Sequence, residues 1–457
     1  MSHAVAIDIR ARRWLRWLAS DDGARWAFLA MLPVTIVVFF VVGRHQWFTR
    51  DDWGYVLTLE GVLQEQGWQQ WLFGAQEGHW ISIPILTFHL TNELFGIDSY
   101  WPYLIPTMVA HIGAVLLARL VCRRLQVSAW TTTIVCSMLL VFGSGWDNIV
   151  FAIQICYNLS LVCFLAQVLL VDHEGTADRR DAFAGLLGVV GVMSSGFGPI
   201  FIVAVAVLLV LRRRWRALAI AVGPTLVAYA WWIVAWYDEG TAARLPGDRV
   251  QLPAYLERGV TATFESLVSI PALAGLAMLA TLAVALWRGV AWSPRTLMLS
   301  LWSVLVVMFL AIGWERIGFG VPTAASSRYM HMSGIVIAPV LAVAVDRLAA
   351  LATEARWAAR TVLVASIAVN AGALRTNAST WAQGARAEQD LFELIAGSPE
   401  VATADPKLAP APLSPNITIG SLGFLIVEGA IVPRAPATDA ERQRVLAALG
   451  LGGAPAP

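Results

Sequence analysis

Residues 26–43 read WAFLAMLPVTIVVFFVVG, and residues 48–55, a few positions later, read FTRDDWGY. The first stretch holds no charged residue and approaches the length of about 20 residues that a helix needs to cross a bilayer. Arginines precede it, and two adjacent carboxylates between aromatic residues follow it. We interpret it as a retained membrane-spanning helix, because it lacks the small-residue cleavage site of a signal peptide.

The rest of the chain repeats this alternation of apolar and charged segments. Of the 457 residues, 58% are hydrophobic and 14% are charged, against roughly a quarter charged in soluble proteins. The sequence therefore predicts an all-α polytopic membrane protein with about 11 membrane-spanning helices. The predicted spans are residues 26–43, 101–121, 128–144, 151–171, 182–194, 196–211, 217–237, 267–287, 296–313, 332–352 and 358–374.

The distribution of arginine predicts how these spans are oriented. Segments on the side of the N-terminus hold 19 arginines, and the opposite segments before the last span hold 7. Because cytoplasmic loops are rich in Lys and Arg, we expect a multi-pass protein of the cell membrane with a cytoplasmic N-terminus and an extracytoplasmic C-terminus. The N-terminal arginines in this count are Arg10, Arg12, Arg13, Arg16 and Arg25.

Composition also disfavours several classes of function. The formal net charge is +1, so there is no basic surplus for a nucleic-acid partner. The four cysteines lie inside or at the ends of apolar runs, without a CxxC pair or a His at zinc-ligand spacing, which disfavours a disulfide framework and a cysteine metal site. Motifs for nucleotide hydrolysis and for the familiar hydrolases are absent from the sequence.

Residues 44–100 form a long first outer loop between the first two predicted spans. Its Trp-rich stretches at 67–73 and 78–90 predict interfacial helices that lie on the bilayer and roof a cavity. The segment 80–95 is apolar, but we do not count it as a span because crossing there would invert the arginine distribution.

Residues 375–457 are polar and Pro-rich, and we expect them to form a small extracytoplasmic α/β region behind a transmembrane domain of residues 1–374. Short strands are predicted at 416–420 and 423–427. Thr438 and Glu441 have the spacing of a capping box, which predicts a last helix.

Asp51 and Asp52 are the first candidates for chemistry. Their place at the end of the first span would desolvate them in part, raise the pKa of at least one, and leave it able to take a proton. An interfacial anchor whose acids simply face water fits the position about equally well. Either aspartate would suit the role of a base.

A second group of candidates opens the tenth predicted span, at Arg328, Tyr329 and His331. A guanidinium holds a phosphate with two hydrogen bonds where water is scarce, and a Tyr or His nearby completes the oxygen shell. A snorkelling arginine with aromatic neighbours is the alternative. We favour the phosphate role, because the charge rule disfavours an outer arginine that has no task.

Five further residues are candidates for lining a cavity between these groups. They are His79 and Trp80 in the first outer loop, Asp147 and Gln154 at the outer ends of two spans, and Glu315 in the last outer loop. Each also has an ordinary structural interpretation as a headgroup contact or a helix cap.

In chain order, these features resemble the GT-C superfamily of integral-membrane glycosyltransferases. A single span leads to the outer acidic motif Asp51–Tyr55, and a long loop with Gly78-His79-Trp80 follows. A span containing His111 comes next, and the pair Arg328-Tyr329 opens a late span. The resemblance covers most of residues 26–352 and implies a GT-C-like arrangement of membrane helices.

The resemblance implies transfer of a sugar from a polyprenyl-phosphate donor to a glycan, lipid or protein acceptor of the cell envelope, with inversion, on the extracytoplasmic face. Asp51 or Asp52 would be the general base, and Arg328 with Tyr329 and His331 would hold the donor phosphate. The resemblance does not imply a cofactor that all members share. Members that use a divalent cation bring further acids to the site, a role open here to Asp147 and Glu315.

Two other functions fit a polytopic chain. A transporter or flippase for a lipid-linked or envelope substrate predicts ionisable residues near the bilayer midplane and paired broken helices, whereas most ionisable residues here lie at span ends. A non-catalytic scaffold predicts that replacing Asp51 and Asp52 leaves function intact. We rank the glycosyltransferase first.

Overall fold

The computed structural model describes residues 17, 20–238, 245 and 247–451. Arg10, Arg12, Arg13 and Arg16, on which the predicted orientation partly rests, lie outside the described residues. Across the described ranges the regular structure is helical, and its β-structure is limited to one isolated bridge between Gln76 and His79.

The α-helices follow the predicted spans and fill the segments between them. In chain order they are α1 (Asp21–Gly43), α2 (Leu59–Gln66), α3 (Trp68–Phe73), α4 (Ser82–Phe95), α5 (Trp101–Arg124), α6 (Ala129–Leu140), α7 (Asp147–Val150), α8 (Ile155–Val171), α9 (Arg179–Val192), α10 (Gly198–Leu211), α11 (Trp215–Trp236), α12 (Leu252–Val268), α13 (Pro271–Leu286), α14 (Trp292–Arg316), α15 (Ser327–Leu351), α16 (Thr353–Ala396), α17 (Leu422–Val427) and α18 (Asp439–Ala448).

Seven of the described helices are long and apolar enough to cross a membrane, and the number is eight if the bent pair formed by α12 and α13 counts as one span. That pair bends by 106°. The expected number of about 11 is therefore not confirmed, although every predicted span contains a helix. When the bent pair is counted as one span, the shortfall comes from α6, α9 and α10. These helices have 12, 14 and 14 residues and are shorter than the ~30 Å hydrocarbon core at 1.5 Å per residue.

The longest helix, α16, has 44 residues and runs without a break through position 374, where we expected the membrane domain to end. The division of the chain at that position stays a prediction. The second half of α16 packs beside the segment that follows α1: the Gln46 side-chain amide donates 2.9 Å hydrogen bonds to the carbonyls of Val42 and Ala378.

The predicted strands of the C-terminal region are wrong. Residues 422–427 form α17, and residues 419–421 form a 3₁₀ turn before it. Leu422 and Leu425 lie three positions apart on one helical face and are buried in the same apolar cluster as Phe392 of α16. This burial favours a helix, whereas an isolated strand would have no partner for its backbone hydrogen bonds.

The last helix is confirmed. Thr438 caps it by accepting a 3.2 Å hydrogen bond from the amide of Glu441, and the Glu441 carboxylate accepts one of 3.1 Å from the amide of Thr438. The helix ends before Gly450, whose φ of 70° lies in the left-handed region that glycine adopts easily.

The first outer loop contains the expected short helices, α2, α3 and α4. The loop packs against the ends of α9 and α11. At the end of α9, the Ile83 amide donates a 3.1 Å hydrogen bond to the carbonyl of Met193. On α11, the ring of Trp232 stacks on that of Trp80 with the centroids 5.9 Å apart. It therefore covers the end of the bundle where the chain leaves α1. Its interfacial position stays a prediction.

Candidate functional site

A cavity of about 250 Å³ lies beneath the first outer loop, and we call it the first cavity. Asp51, Glu77, His79, Arg316 and Arg328 belong to its wall. Segments that are far apart in sequence thus meet at one end of the bundle. The early aspartate motif and the late arginine share one cavity, as the sequence hypothesis requires.

The structure separates the two adjacent aspartates. Asp51 is exposed and lines the first cavity, whereas Asp52 is fully buried. Burial raises the pKa of Asp52 to about 8, although its carboxylate accepts hydrogen bonds from the Tyr100 hydroxyl at 2.7 Å and from the Ile153 amide at 3.1 Å. Asp51 is therefore accessible from the cavity, whereas Asp52 is bonded to neighbouring segments.

The turn that carries Asp51 is held from the C-terminal side of the chain. The Thr49 hydroxyl donates to the Glu388 carboxylate of α16 at 2.7 Å, and the Arg50 amide donates to the Ser414 hydroxyl at 2.8 Å. The Ser414 hydroxyl in turn donates to Glu388 at 2.8 Å. These bonds keep Arg50 at a φ of 53°, a left-handed conformation that costs energy outside glycine. The segment before α17 therefore helps to position Asp51.

Two guanidinium groups belong to the same cavity wall as the Asp51 carboxylate. Arg316 ends α14 and Arg328 opens α15, and both side chains are partly buried. The Nε of Arg328 lies 3.6 Å from an oxygen of Asp147. Two partly buried guanidinium groups attract an anion with several oxygens more strongly than exposed ones would. From the sequence, Glu315 was predicted as a cavity residue, whereas its neighbour Arg316 was not.

His79 and Glu77 supply the polar wall on the side of the first outer loop. Burial and the positive charge of Arg316 lower the pKa of His79 to about 4, so its imidazole is neutral near pH 7. Partial burial, followed by the charge of Asp51, raises the pKa of Glu77. Both groups can exchange hydrogen bonds with hydroxyls.

Gln154 and Asn416 also belong to the polar lining of the first cavity. Gln154 is 1% exposed, and its Oε1 has no hydrogen-bond partner among the described residues. A buried amide oxygen of this kind favours a ligand that donates a hydrogen bond. Asn416, which accepts a 3.2 Å bond from the Thr58 hydroxyl, comes from the C-terminal region and was missed, because no sequence motif marks it.

A second cavity of about 710 Å³ adjoins the first, since Arg316 and Arg328 line both. Asp147 and Tyr329 belong to this second cavity rather than to the first. Burial raises the pKa of Asp147, and the charge of Arg328 opposes the rise.

Three predicted site residues belong to neither wall among the residues that the structure describes. Trp80 is 3% exposed and packs on Trp232. His331 is fully buried inside the bundle, with its Nε2 2.8 Å from Nδ1 of His111. Glu315 uses its backbone carbonyl to accept a bond from the amide of Leu245.

The acids of the first cavity do not form a ready-made metal site. Within the described part of the chain, one group of His and acidic residues is close enough to share an ion, formed by His173, Asp178 and Asp181. A guanidinium nitrogen of Arg214 lies 2.9 Å from His173 Nε2 and 3.1 Å from Asp181, which makes this group an ion-pair network. A divalent cation at the first cavity stays a prediction.

An apolar groove of about 550 Å³ begins at the same turn that closes the first cavity. Ser195 and Gly196, between α9 and α10, line the cavity, and Val192 and Pro199 on either side of them line the groove. The groove follows α10 to Leu211, which is about 18 Å at 1.5 Å per residue.

No known family model matches the sequence, and no curated protein matches it. Two solved structures match the fold. ArnT from Cupriavidus metallidurans in the apo state has a TM-score of 0.55 and 14% identity, covering 90% of each chain. ArnT from the same organism bound to undecaprenyl phosphate has a TM-score of 0.51 and 14% identity, covering 89% of each chain. The chain described here therefore shares the fold of both ArnT structures.

Proposed function

We propose that the protein is a membrane glycosyltransferase that moves a sugar from a polyprenyl-phosphate donor to a hydroxyl of a cell-envelope glycan, lipid or protein on the extracytoplasmic face. The observation that carries the proposal is the presence of Asp51, Arg316 and Arg328 in the wall of one cavity. The shared fold and the undecaprenyl phosphate bound to a protein of that fold support the class of donor.

In this proposal Arg316 and Arg328 bind the donor phosphate. Their guanidinium groups supply several donors to phosphate oxygens, and burial strengthens the attraction. Tyr329 is next to Arg328 and offers a hydroxyl from the second cavity. The prenyl chain would lie in the apolar groove along α10, where the wall is aliphatic apart from Thr225 and Tyr229.

Asp51 then acts as the general base. It takes the proton of the acceptor hydroxyl while the hydroxyl oxygen forms a bond to the anomeric carbon of the sugar. The bond between that carbon and the phosphate oxygen breaks, and its electron pair stays on the phosphate, whose charge the arginines neutralise. Attack from the side opposite the phosphate inverts the configuration at the anomeric carbon.

The other polar residues of the first cavity would orient the sugar. His79 and Gln154 lie in the same wall as Asp51, and the free Oε1 of Gln154 suits a sugar hydroxyl. Asp52 is a positioning residue in this mechanism, because its carboxylate is buried and already bonded. His331 takes no part in binding the phosphate, since it lies inside the bundle.

Reconstitution in liposomes with a radiolabelled polyprenyl-phosphate sugar and an envelope extract tests the proposal. We expect Asp51→Asn to slow transfer by about 10²–10⁴-fold, and Arg328→Ala to weaken donor binding. Glu65→Gln and Arg375→Ala, which alter exposed residues outside the two cavities, are the matched controls and should retain transfer. Equal rates for Asp51→Asn, Arg328→Ala and the wild type would overturn the proposed site.

A further inference from the structure

The second cavity is larger than the first, and Arg316 and Arg328 belong to the walls of both. Thr49 and Arg50 line the second cavity, and the next residue, Asp51, lines the first. A molecule in the second cavity therefore contacts the same turn that carries the proposed base. Its volume, about 710 Å³, is typical of sites that bind small molecules.

Two tryptophans form an aromatic wall in this cavity. The ring centroids of Trp146 and Trp381 are 5.2 Å apart, and the guanidinium of Arg50 lies 4.7 Å from the ring centroid of Trp381. The indole Nε1 of Trp381 is buried and has no hydrogen-bond partner among the described residues. Trp381 is partly exposed and lines the cavity, and an aromatic side chain of this kind suits a ligand that has both C–H groups and hydroxyls.

Polar groups face the same space. Asp147 is 7% exposed, and its Oδ1 lacks a hydrogen-bond partner within the described part of the chain. Its other oxygen faces Arg328 at 3.6 Å. The hydroxyls of Thr323 and Thr380 also line the cavity. A hydroxyl of a ligand can donate to Asp147 and accept from an arginine at the same time.

This combination of groups favours a carbohydrate over a hydrocarbon chain. A hydrocarbon chain in the second cavity would lie against the guanidinium groups of Arg316 and Arg328 and displace their water, which is costly. The apolar groove along α10 offers such a chain an aliphatic wall instead. A sugar ring places its C–H face on an indole and its hydroxyls against the carboxylate.

The chain after residue 374 builds much of this cavity. Trp381 and Glu388 lie on the second half of α16, and Leu413 lies in the segment that follows it. Glu388 also accepts hydrogen bonds from Thr49 and Ser414. The C-terminal region thus shapes the space beside the proposed base, and we expect this region to help select the acceptor.

We infer that the second cavity is a carbohydrate-binding subsite, formed by Trp146, Trp381 and Asp147, that holds the sugar of a glycan acceptor beside Asp51. The assignment of the bound sugar as the acceptor rests on the proposed function. Binding of a sugar in this cavity does not, because it can be measured without a donor.

Saturation-transfer NMR on the full chain in lipid nanodiscs free of sugar detergents tests the inference. The probes are the methyl glycosides of glucose, galactose, mannose and arabinose, together with methyl galacturonoside and N-acetylglucosamine. We expect at least one probe to bind the wild type and Trp357→Leu, and its signal to fall about tenfold in Trp381→Leu, because stacking on the indole is lost. Trp357 is the matched control, since it lies on the same helix and is 64% exposed.

Two outcomes overturn the inference: no probe binds the wild type, or a probe binds the wild type and Trp381→Leu equally. If Trp381→Leu does not fold, Asp147→Asn replaces it, with the same loss expected because Asp147 is the buried acceptor. A protein that binds the probe through Trp381 but transfers no sugar from any polyprenyl-phosphate donor would contradict the proposed function and leave the carbohydrate subsite standing.

Discussion

The Tyr100 hydroxyl donates a 2.7 Å hydrogen bond to Oδ2 of Asp52 and accepts one of 2.8 Å from the amide of Ala152. The other oxygen of Asp52 accepts from the amide of Ile153 at 3.1 Å. Two side chains thus fasten the turn that follows α1 to the backbone immediately before Gln154. The turn places Asp51 in the first cavity, and the fastened backbone places Gln154 in the same wall.

Replacing Tyr100 tests the importance of this connection. We expect Tyr100→Phe to lower the free energy of unfolding by about 1–3 kcal/mol, because Asp52 and the Ala152 amide lose a buried partner. Transfer should also fall, because the position of Asp51 loosens. Thermal unfolding and the transfer assay measure the two effects.

The matched control is Tyr103→Phe. The Tyr103 hydroxyl donates to Asn92 at 3.1 Å and to the carbonyl of Gly96 at 3.0 Å, away from either cavity wall. This variant should lose stability but retain transfer. Equal transfer by the two variants would show that the contact between Tyr100 and Asp52 does not position the site.

The buried carboxyl of Asp52 should make stability depend on pH. Burial raises its pKa from 3.8 to about 8, so the folded state binds the proton more tightly than the unfolded state. Its contribution is therefore fully present below about pH 4 and is lost as the pH rises to about 8, at up to ~1.4 kcal/mol per pH unit.

Unfolding of the wild type and of Asp52→Asn, followed between about pH 4 and 8, measures this dependence. The difference between the two proteins should change across that range, because the amide does not titrate. Asp51→Asn, which leaves the buried carboxyl in place, should follow the wild-type profile. Parallel profiles for the wild type and Asp52→Asn would contradict a raised pKa.

Much of this site could be predicted from sequence, because hydropathy fixes the spans and charge marks their ends. The motif around Asp51 and the cation at Arg328 were identified in this way. The sequence could not show which of Asp51 and Asp52 faces the cavity. The contacts that hold Asp52 in its buried position come from Tyr100 and Ile153, in distant segments.

The same limit applies to the aromatic residues and to the C-terminal region. In the sequence, Trp80 has the features of a residue that contacts lipid headgroups. In the structure it stacks on Trp232, and this contact depends on how α11 packs. Asn416 and Ser414 belong to an irregular segment without a motif. Their contacts with the turn of Asp51 arise from the way this segment folds back over the bundle.

Gly196 should matter for function because of its contact with His79. A methyl group at this position would lie 2.5 Å from Nδ1 of His79, so Gly196→Ala pushes the imidazole into the first cavity. We expect transfer to fall about tenfold or more, since small displacements of groups that orient a substrate are costly. The melting temperature should change little, because the ring can move into open space.

Gly223→Ala is the matched control, since a methyl group there meets nothing within 4 Å. It should retain both transfer and stability. Full transfer by Gly196→Ala would show that the position of His79 is unimportant for the reaction.

A chain of hydrogen bonds through His331 links α15 to α5 inside the bundle. The Asn148 amide lies 3.3 Å from His331 Nδ1, His331 Nε2 lies 2.8 Å from His111 Nδ1, and His111 Nε2 lies 3.3 Å from the carbonyl of Leu140. With Asn148 as the first donor, one assignment satisfies every contact: both imidazoles are neutral and carry their proton on Nε2.

This arrangement distinguishes a structural His331 from one that binds the donor phosphate. His331→Leu removes the donor to His111 and the acceptor for Asn148, so we expect a loss of about 2–4 kcal/mol in stability from two unpaired buried groups. The KM for the donor should stay close to that of the wild type in the folded fraction.

Arg328→Lys should do the opposite, raising the donor KM with a smaller change in stability, because it loses the paired guanidinium contact with phosphate. Denaturation curves and donor titrations of both variants separate the two roles. A rise in donor KM at unchanged stability in His331→Leu would instead mean that His331 contacts the phosphate.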